Sequence, residues 1–331
     1  METSISGSES NNNEFHEQVL ATTRLLKFGS LVFVEKDFYV TKIIHILSEI
    51  KNPYYNLYFQ GGTCLAKAYQ ITERMSEDCD FRIALQPGVS FNRNALREFR
   101  QTILKALCEN GFNCPDDAIK VRNLGQFMEL KIPYPSLYTE QSAVLKPYLS
   151  IEFFLNTVKL PTQSQPITTL IRQILGETIQ HPIAEINCVS PLETAAEKWV
   201  AMTRRIATMD YRSYYQDANL VRHLYDLYRI EKNGYHFDER MANLVKVIVD
   251  GDRQQYKNHN PEYFVNPSQE IRRALQALKD NKSWQDHWDN FMAQMVFGEK
   301  PPYILVLENF IHKSEKILQA LEITVLEPLP A

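Results

Sequence analysis

The stretch from Phe59 to Leu85, FQGGTCLAKAYQITERMSEDCDFRIAL, constrains the fold of this chain more than any other. It is preceded by the apolar Leu57-Tyr58-Phe59, a strand-like run. Gly61-Gly62-Thr63 follows, and two adjacent glycines punctuate local structure strongly. From Cys64 to Thr72 the spacing predicts a helix with Leu65, Ala68 and Tyr69 on one side. Arg74 to Asp78 is polar and turn-like. Cys79, Phe81, Ile83 and Leu85 then alternate with Asp80, Arg82 and Ala84, the period of a half-buried strand. The layout is strand, glycine turn, helix, turn, strand, with two aspartates where the second strand starts.

Each part has a chemical use. A glycine turn opening a helix exposes backbone N–H groups, and the helix start adds partial positive charge, which together cradle phosphate. Asp78 and Asp80 lie two residues apart on an extended segment and so share a face. Paired carboxylates suit Mg²⁺, a hard cation that prefers oxygen. Either feature alone is also an ordinary turn or a pair of solvated acids. Together at this spacing they point to phosphoryl or nucleotidyl transfer.

Gly61-Gly62-Thr63-Cys64-Leu65-Ala66-Lys67 and Arg74-Met75-Ser76-Glu77-Asp78-Cys79-Asp80 resemble the signature of nucleotidyltransferases of the AbiEii/AbiGii toxin family. The departures are Met75, where the family has an aromatic, and Cys79, where it has an aliphatic. Further matching segments run from about Glu35 to the C-terminal helices.

Length suggests about two domains in 331 residues. A hydrophobic fraction of 44% and a charged fraction of 23% are ordinary for a globular protein. No run reaches the apolar length of a membrane span. The first residues have neither a basic n-region nor an apolar core, so they read as a disordered tail and not as a secretory signal. Five cysteines without Cys-x-x-Cys spacing argue against a disulfide framework or a zinc site and fit a reduced cytoplasm. The net charge of −4 means that any contact with RNA must rest on a local patch.

Along the chain, Phe33 to Ile50 approximates a helix that opens with Glu35-Lys36-Asp37, matching a Glu-Lys-Asp segment of the family. Those charges are either a solvated helix start or part of the site. Phe91 to Asn110 predicts a helix with Leu96, Phe99, Ile103, Leu104 and Leu107 inward and Gly111 as its stop. Gln126 to Ile132 and Tyr148 to Leu155 read as strands. Glu152 faces away from Leu149, Ile151 and Phe153. It is either a solvent-facing acid or, by the resemblance, the third carboxylate of a metal site. Ser190-Pro191-Leu192-Glu193 is a capping box with proline at the first helical position.

By the resemblance, Lys198 on that helix reaches a nucleotide's outer phosphates, though it is also one more helix lysine. Asp226, within Arg222-His223-Leu224-Tyr225-Asp226-Leu227, matches the family's last motif acid, although an ion pair with Arg222 explains it equally well. Arg204, Arg205 and Arg212 interleave with Tyr211, Tyr214 and Tyr215, a pattern that can grip single-stranded RNA or simply end a helix in a tyrosine-rich loop. The remainder is helical, at about 238–250, 268–280, 284–296 and 303–321, with a polar stretch from Gly251 to Pro267.

These readings give an N-terminal segment over 1–32, an α/β (α+β) nucleotidyltransferase domain with a mixed sheet over 33–190, and a helical domain over 191–331. The site is expected between the two domains. The resemblance implies a toxin that transfers a nucleoside monophosphate from an NTP to a hydroxyl, with Mg²⁺ or Mn²⁺ as cofactor. The acceptor it implies is the 3′ end of tRNA, and the partner an AbiEi-like winged-helix antitoxin. Asp78, Asp80 and Glu152 would hold metal. Gly61, Gly62, Thr63, Lys67, Arg74, Ser76 and Lys198 would bind the nucleotide, and Asp226 would position it or the acceptor. A protein or small-molecule acceptor, or a non-catalytic protein of the same fold, are the alternatives.

Overall fold

The computed structural model describes residues 5–26, 30–138, 145–209 and 217–325. It divides into two compact units, one of Met1–Gln70 and Arg74–Val189, the other of Ile71–Glu73 and Ser190–Ala331.

In the first unit the elements are α1 (Ile5–Leu26), α2 (Leu31–Ser48), β1 (Tyr55–Gln60), α3 (Gly61–Lys67), β2 (Asp78–Leu85), α4 (Arg93–Glu109), β3 (Ile119–Arg122), β4 (Phe127–Ile132), β5 (Leu149–Leu155), β6 (Gln163–Thr168), α5 (Leu170–Leu175) and β7 (Ile183–Cys188). The strands form one sheet in the order β3-β4-β5-β2-β1-β7-β6. It is mixed: β2–β5 and β1–β7 are parallel, the other neighbours antiparallel. The anticipated α/β class, the mixed sheet and its four central strands are all present.

Strand alternation gives the sheet two unlike faces. Phe59, Cys79, Phe81, Ile83, Ile151, Phe153, Met128 and Leu130 point into a core shared with Val40, Ile43, Ile44 and Leu47 of α2 and Leu96, Phe99, Ile103 and Leu107 of α4. Phe81 stacks on Phe153 at 5.5 Å between ring centroids. Each such aromatic, fully buried, contributes about 1.5–3 kcal/mol. The opposite face carries Asp78, Asp80, Ser150, Glu152 and Glu129, and it positions the candidate site.

Three details depart from the sequence expectations. Within the N-terminal segment, expected to be disordered or loosely packed, the described residues Ile5–Leu26 form α1, and its Val19 packs with Val34 and Ile171, with Phe15 and Leu26 alongside. The helix expected over Cys64 to Thr72 ends at Lys67, because Gln70 takes a left-handed φ of 52° that a helix cannot carry. The polar stretch after Gly251 holds the end of one helix and a short second one.

The second unit is helical: α6 (Pro191–Ala207), α7 (Val221–Lys232), α8 (Glu239–Tyr256), α9 (Pro261–Val265), α10 (Pro267–Asp280), α11 (Ser283–Met295) and α12 (Tyr303–Val325). Ser190 caps α6 by accepting from the Leu192 N–H at 3.3 Å, with Pro191 inside the first turn. Trp199, Trp284 and Trp288 are buried, and the Trp199 indole donates to Ser314 Oγ at 2.8 Å. No helix among the described residues is long and apolar enough to cross a membrane.

Candidate active site

The glycine turn joins β1 to α3. Gly61 has φ +80°, and a Cβ built there would lie 2.2 Å from Asp80 Oδ2. A Cβ on Gly62 would lie 2.4 Å from Arg74 Nη2 and 3.2 Å from Ser76 Oγ. Both glycines therefore make room, one for a carboxylate and one for a guanidinium. No side chain of Gln60 caps α3, so its leading N–H groups are not met by the residue before it.

Thr63 ties the turn to the second half of the signature. Its hydroxyl donates to the Asp78 carbonyl. Having only one proton, it then accepts from Ser76 Oγ at 2.8 Å. Arg74 is buried and donates from Nη1 to the Met75 carbonyl at 2.8 Å. Gly61, Gly62, Thr63, Arg74, Ser76, Asp78 and Asp80 are thus brought together, the glycines and aspartates as the spacing anticipated and Arg74 and Ser76 as the resemblance implied.

The pairing register extends the site across the sheet. Asp80 is in register with Gln60 of β1 and Glu152 of β5, and Glu152 with Glu129 of β4. These side chains stand in one row on the polar face. Burial, and then repulsion from Asp78 and Glu129, raises the Glu152 carboxyl above its ordinary value. Oxygen donors on one face suit a hard divalent cation. The three carboxylates share this face without converging: among the described residues, no group of three His, Cys, Asp or Glu is placed to hold a metal ion.

Asp78 instead meets Lys146, whose Nζ donates to Oδ1 at 2.6 Å. Both side chains are more than a third exposed. Burial opposes the Lys146 charge, but attraction to Asp78 and Glu77 outweighs it and holds the ammonium pKa above that of an ordinary lysine. Sequence reasoning missed Lys146. No periodicity or motif marks it, and its partner lies far away in the chain.

Below the turn lies a network of buried charge. Glu35, Lys36 and Asp37 are all buried, so the reading of Glu35-Lys36-Asp37 as a solvated helix start is corrected. Lys36 pairs with Glu77 and donates to the Lys146 carbonyl at 2.6 Å. Burial lowers the Lys36 pKa against the pull of Glu77. Glu77 in turn accepts from the Lys146 N–H at 3.0 Å. Glu35 accepts from the Leu137 N–H at 2.6 Å. Asp37 pairs with Lys67 and accepts from the Leu170 N–H at 2.7 Å. Lys67, expected at the nucleotide, has its ammonium buried against Asp37.

In the second unit, Lys198 on α6 and Asp226 on α7 come together at 2.8 Å, with Asp226 fully buried. Two residues singled out separately are partners. Arg204 departs from the expected basic patch. It is buried, donates to Asp252 at 2.7 Å and stacks on Tyr256 at 3.7 Å. Arg205 pairs with Asp217. Arg212, Tyr211, Tyr214 and Tyr215 lie outside the described residues.

The chain finds no match among curated proteins. One solved structure that resembles it is the nucleotidyltransferase toxin MenT4 of Mycobacterium tuberculosis H37Rv, at 19% identity and a TM-score of 0.47, covering 71% of this chain and 70% of that one. The family model "Nucleotidyl transferase AbiEii toxin, Type IV TA system" matches residues 46–320, which takes in the glycine turn, both aspartates, Glu152, Lys198 and Asp226. That match covers most of the chain, which therefore belongs to the AbiEii family of nucleotidyl-transferring toxins, whose type IV systems pair each toxin with an antitoxin.

Proposed function

We propose that this enzyme transfers a nucleoside monophosphate from an NTP to the 3′-terminal hydroxyl of tRNA, and so blocks translation. The observation that carries the reading is the register of Asp80 with Glu152 beside Gly61, carboxylates in a row next to a glycine turn that leaves room for the Asp80 carboxylate and the Arg74 guanidinium. Asp78 and Asp80, with Glu152, would hold Mg²⁺ or Mn²⁺. The cation supplies charge neutralisation at the phosphates. Lys146 at present supplies positive charge at Asp78, the place a divalent cation would take.

The remaining roles fall to groups of the chain itself. Gly61, Gly62 and Thr63 offer backbone N–H groups to phosphate, and Arg74 and Ser76 shape that turn. Lys198 would reach the outer phosphates and Asp226 would orient the nucleotide or acceptor. The acceptor oxygen bonds to the α-phosphorus, the bond from that phosphorus to the bridging oxygen breaks, and pyrophosphate leaves. Where Glu152 serves as the base and not as the third ligand, the hydroxyl proton passes to its carboxylate. Of the arginines in the last turn of α6 and beyond it, Arg205 and Arg212 stay candidates for RNA contact, while Arg204 does not. The five free thiols fit a reducing cytoplasm, and an AbiEi-like winged-helix antitoxin is the partner proposed.

The test is incubation of the purified chain with Mg²⁺ and each of the NTPs, labelled at the α-phosphate, against tRNA, a protein mixture and an aminoglycoside. Label on the tRNA 3′ end supports the reading. Label on protein or drug with none on tRNA replaces the acceptor.

A further inference from the structure

A pocket lies at the β3 edge of the first unit's sheet. Arg93, Arg97 and Arg100 are spaced four and three residues apart, so they form one stripe on α4. It borders the buried stripe of Leu96, Phe99, Ile103 and Leu107 on the same helix. The arginine stripe faces the β3–β4 turn across a pocket of about 580 Å³, which Arg122 also lines and no acidic residue does. Arg100 is spent on structure: its Nη1 donates to the Gly125 carbonyl at 2.6 Å and holds the turn. A Cβ on Gly125, at φ +92°, would lie 1.8 Å from that nitrogen. Burial, and then repulsion from Arg97 and Arg93, lowers the Arg100 pKa. Like charges gathered around a concavity without a carboxylate are stabilised by an anion.

Of the pocket's arginines, the register puts Arg122 on the carboxylate face, while α4 with Arg93 and Arg97 packs on the other face of the sheet. Arg122 is in register with Phe127, Phe127 with Phe154, and Phe154 with Arg82, two residues along β2 from Asp80. Arg122 therefore stands on the same face as Asp80 and Glu152, three strand spacings or roughly 14 Å from β2. Between them sit the Phe127 and Phe154 rings, 5.0 Å apart. Phe154 is 36% exposed beside Phe127 on this face. The Arg122 guanidinium lies 5.9 Å from the Phe127 ring. A single phosphate cannot reach from the pocket to the carboxylates, whereas a polymer with phosphates and flat bases can.

We propose that the pocket of Arg93, Arg97 and Arg122 binds the phosphate backbone of the RNA acceptor, and that Phe127 and Phe154 stack its bases on the way to the carboxylates. This rests on the RNA reading of the acceptor given above. Guanidiniums on phosphate give affinity that depends on salt, and ring stacking gives affinity that does not.

The experiment is fluorescence anisotropy of the full chain with a fluorescein-labelled single-stranded RNA of mixed sequence, across a salt series. The variant Arg93→Ala/Arg97→Ala/Arg122→Ala leaves Arg100 to hold the turn, and its melting temperature should match wild type. It should bind RNA about tenfold or more weakly at low salt, and the slope of log affinity against log salt should shrink by about 2, for three phosphates at ~0.7 each. Phe154→Ala should weaken binding by about fivefold or more with the slope unchanged. Wild-type affinity and slope in the triple variant would overturn the proposal. So would loss of tripolyphosphate binding with RNA binding intact, which marks a small-anion site. Asp80→Asn separates the two ideas. It should keep RNA binding whatever happens to transfer, so a failure of the transfer chemistry leaves the pocket standing, and the reverse.

Discussion

Two aspartate–lysine pairs serve the same glycine turn in opposite ways. Asp37–Lys67 is 6% exposed on each side, and the second Asp37 oxygen is met by the Leu170 N–H. Asp78–Lys146 is 37% and 39% exposed, on the polar face of the sheet. The chemistry is identical and the surroundings are not. A dry pair is a lock, because losing either partner leaves a charge with neither water nor counter-ion. A wet pair is exchangeable, because water screens it and another cation can replace the ammonium. The turn is thus fixed from below and adjustable from above.

The largest effect expected from this contrast is on stability. Lys67→Ala strands the Asp37 carboxylate and should cost about 3–5 kcal/mol, read as a steep drop in the urea midpoint. Lys67→Met/Asp37→Leu should recover much of that loss, since apolar replacement of a whole buried pair is often neutral. If Lys67→Ala is as stable as wild type, the pair is not a lock.

Next is Lys146→Ala. The wet pair should contribute no more than about 1 kcal/mol, so melting should barely change. What should change is metal dependence: with Asp78 freed, half-maximal transfer should need less Mg²⁺. A higher Mg²⁺ requirement would show that Lys146 positions Asp78 and does not stand in for the cation.

The smallest effect concerns Glu152. Its folded pKa lies above the ordinary glutamate value, so the fold takes up a proton more readily than the unfolded chain, and its charged form works against folding. That cost is present at neutral pH and fades as pH falls through the raised folded value toward the ordinary one. Glu152→Gln should therefore be slightly more stable than wild type at neutral pH, and the gain should vanish in acid. Chemical denaturation at the two pH values reads it. A gain that grows in acid would reverse the assignment.

The signature was legible because it is local. Glycines, Thr63, Arg74, Ser76 and the two aspartates meet within a few turns of chain, and strand alternation put Glu152 on the face away from Leu149, Ile151 and Phe153, while its place in a metal site came only from the resemblance. Charge pairing was not legible. Glu35, Lys36 and Asp37 look the same in sequence whether they face water or a core, and only Glu77, Lys67 and Leu137, far along the chain, decide it. Arg204 was misread for the same reason, since Asp252 and Tyr256 come from another helix. The strand β3 is four residues long, and β6 carries Pro166 at the sheet edge, so neither offers enough alternation to be seen. The arginine stripe of α4 sits on a helix whose apolar side drew the reading.

The central claim is that Asp78 and Asp80 support nucleotidyl transfer to RNA. The most direct measurement is transfer of α-phosphate label from an NTP to tRNA with Mg²⁺, wild type against Asp80→Asn, each checked for an unchanged melting curve. The account predicts labelled tRNA with wild type and a loss on the order of a thousandfold in the variant, the several kcal/mol that a held cation contributes. Equal labelling by the two proteins would contradict it.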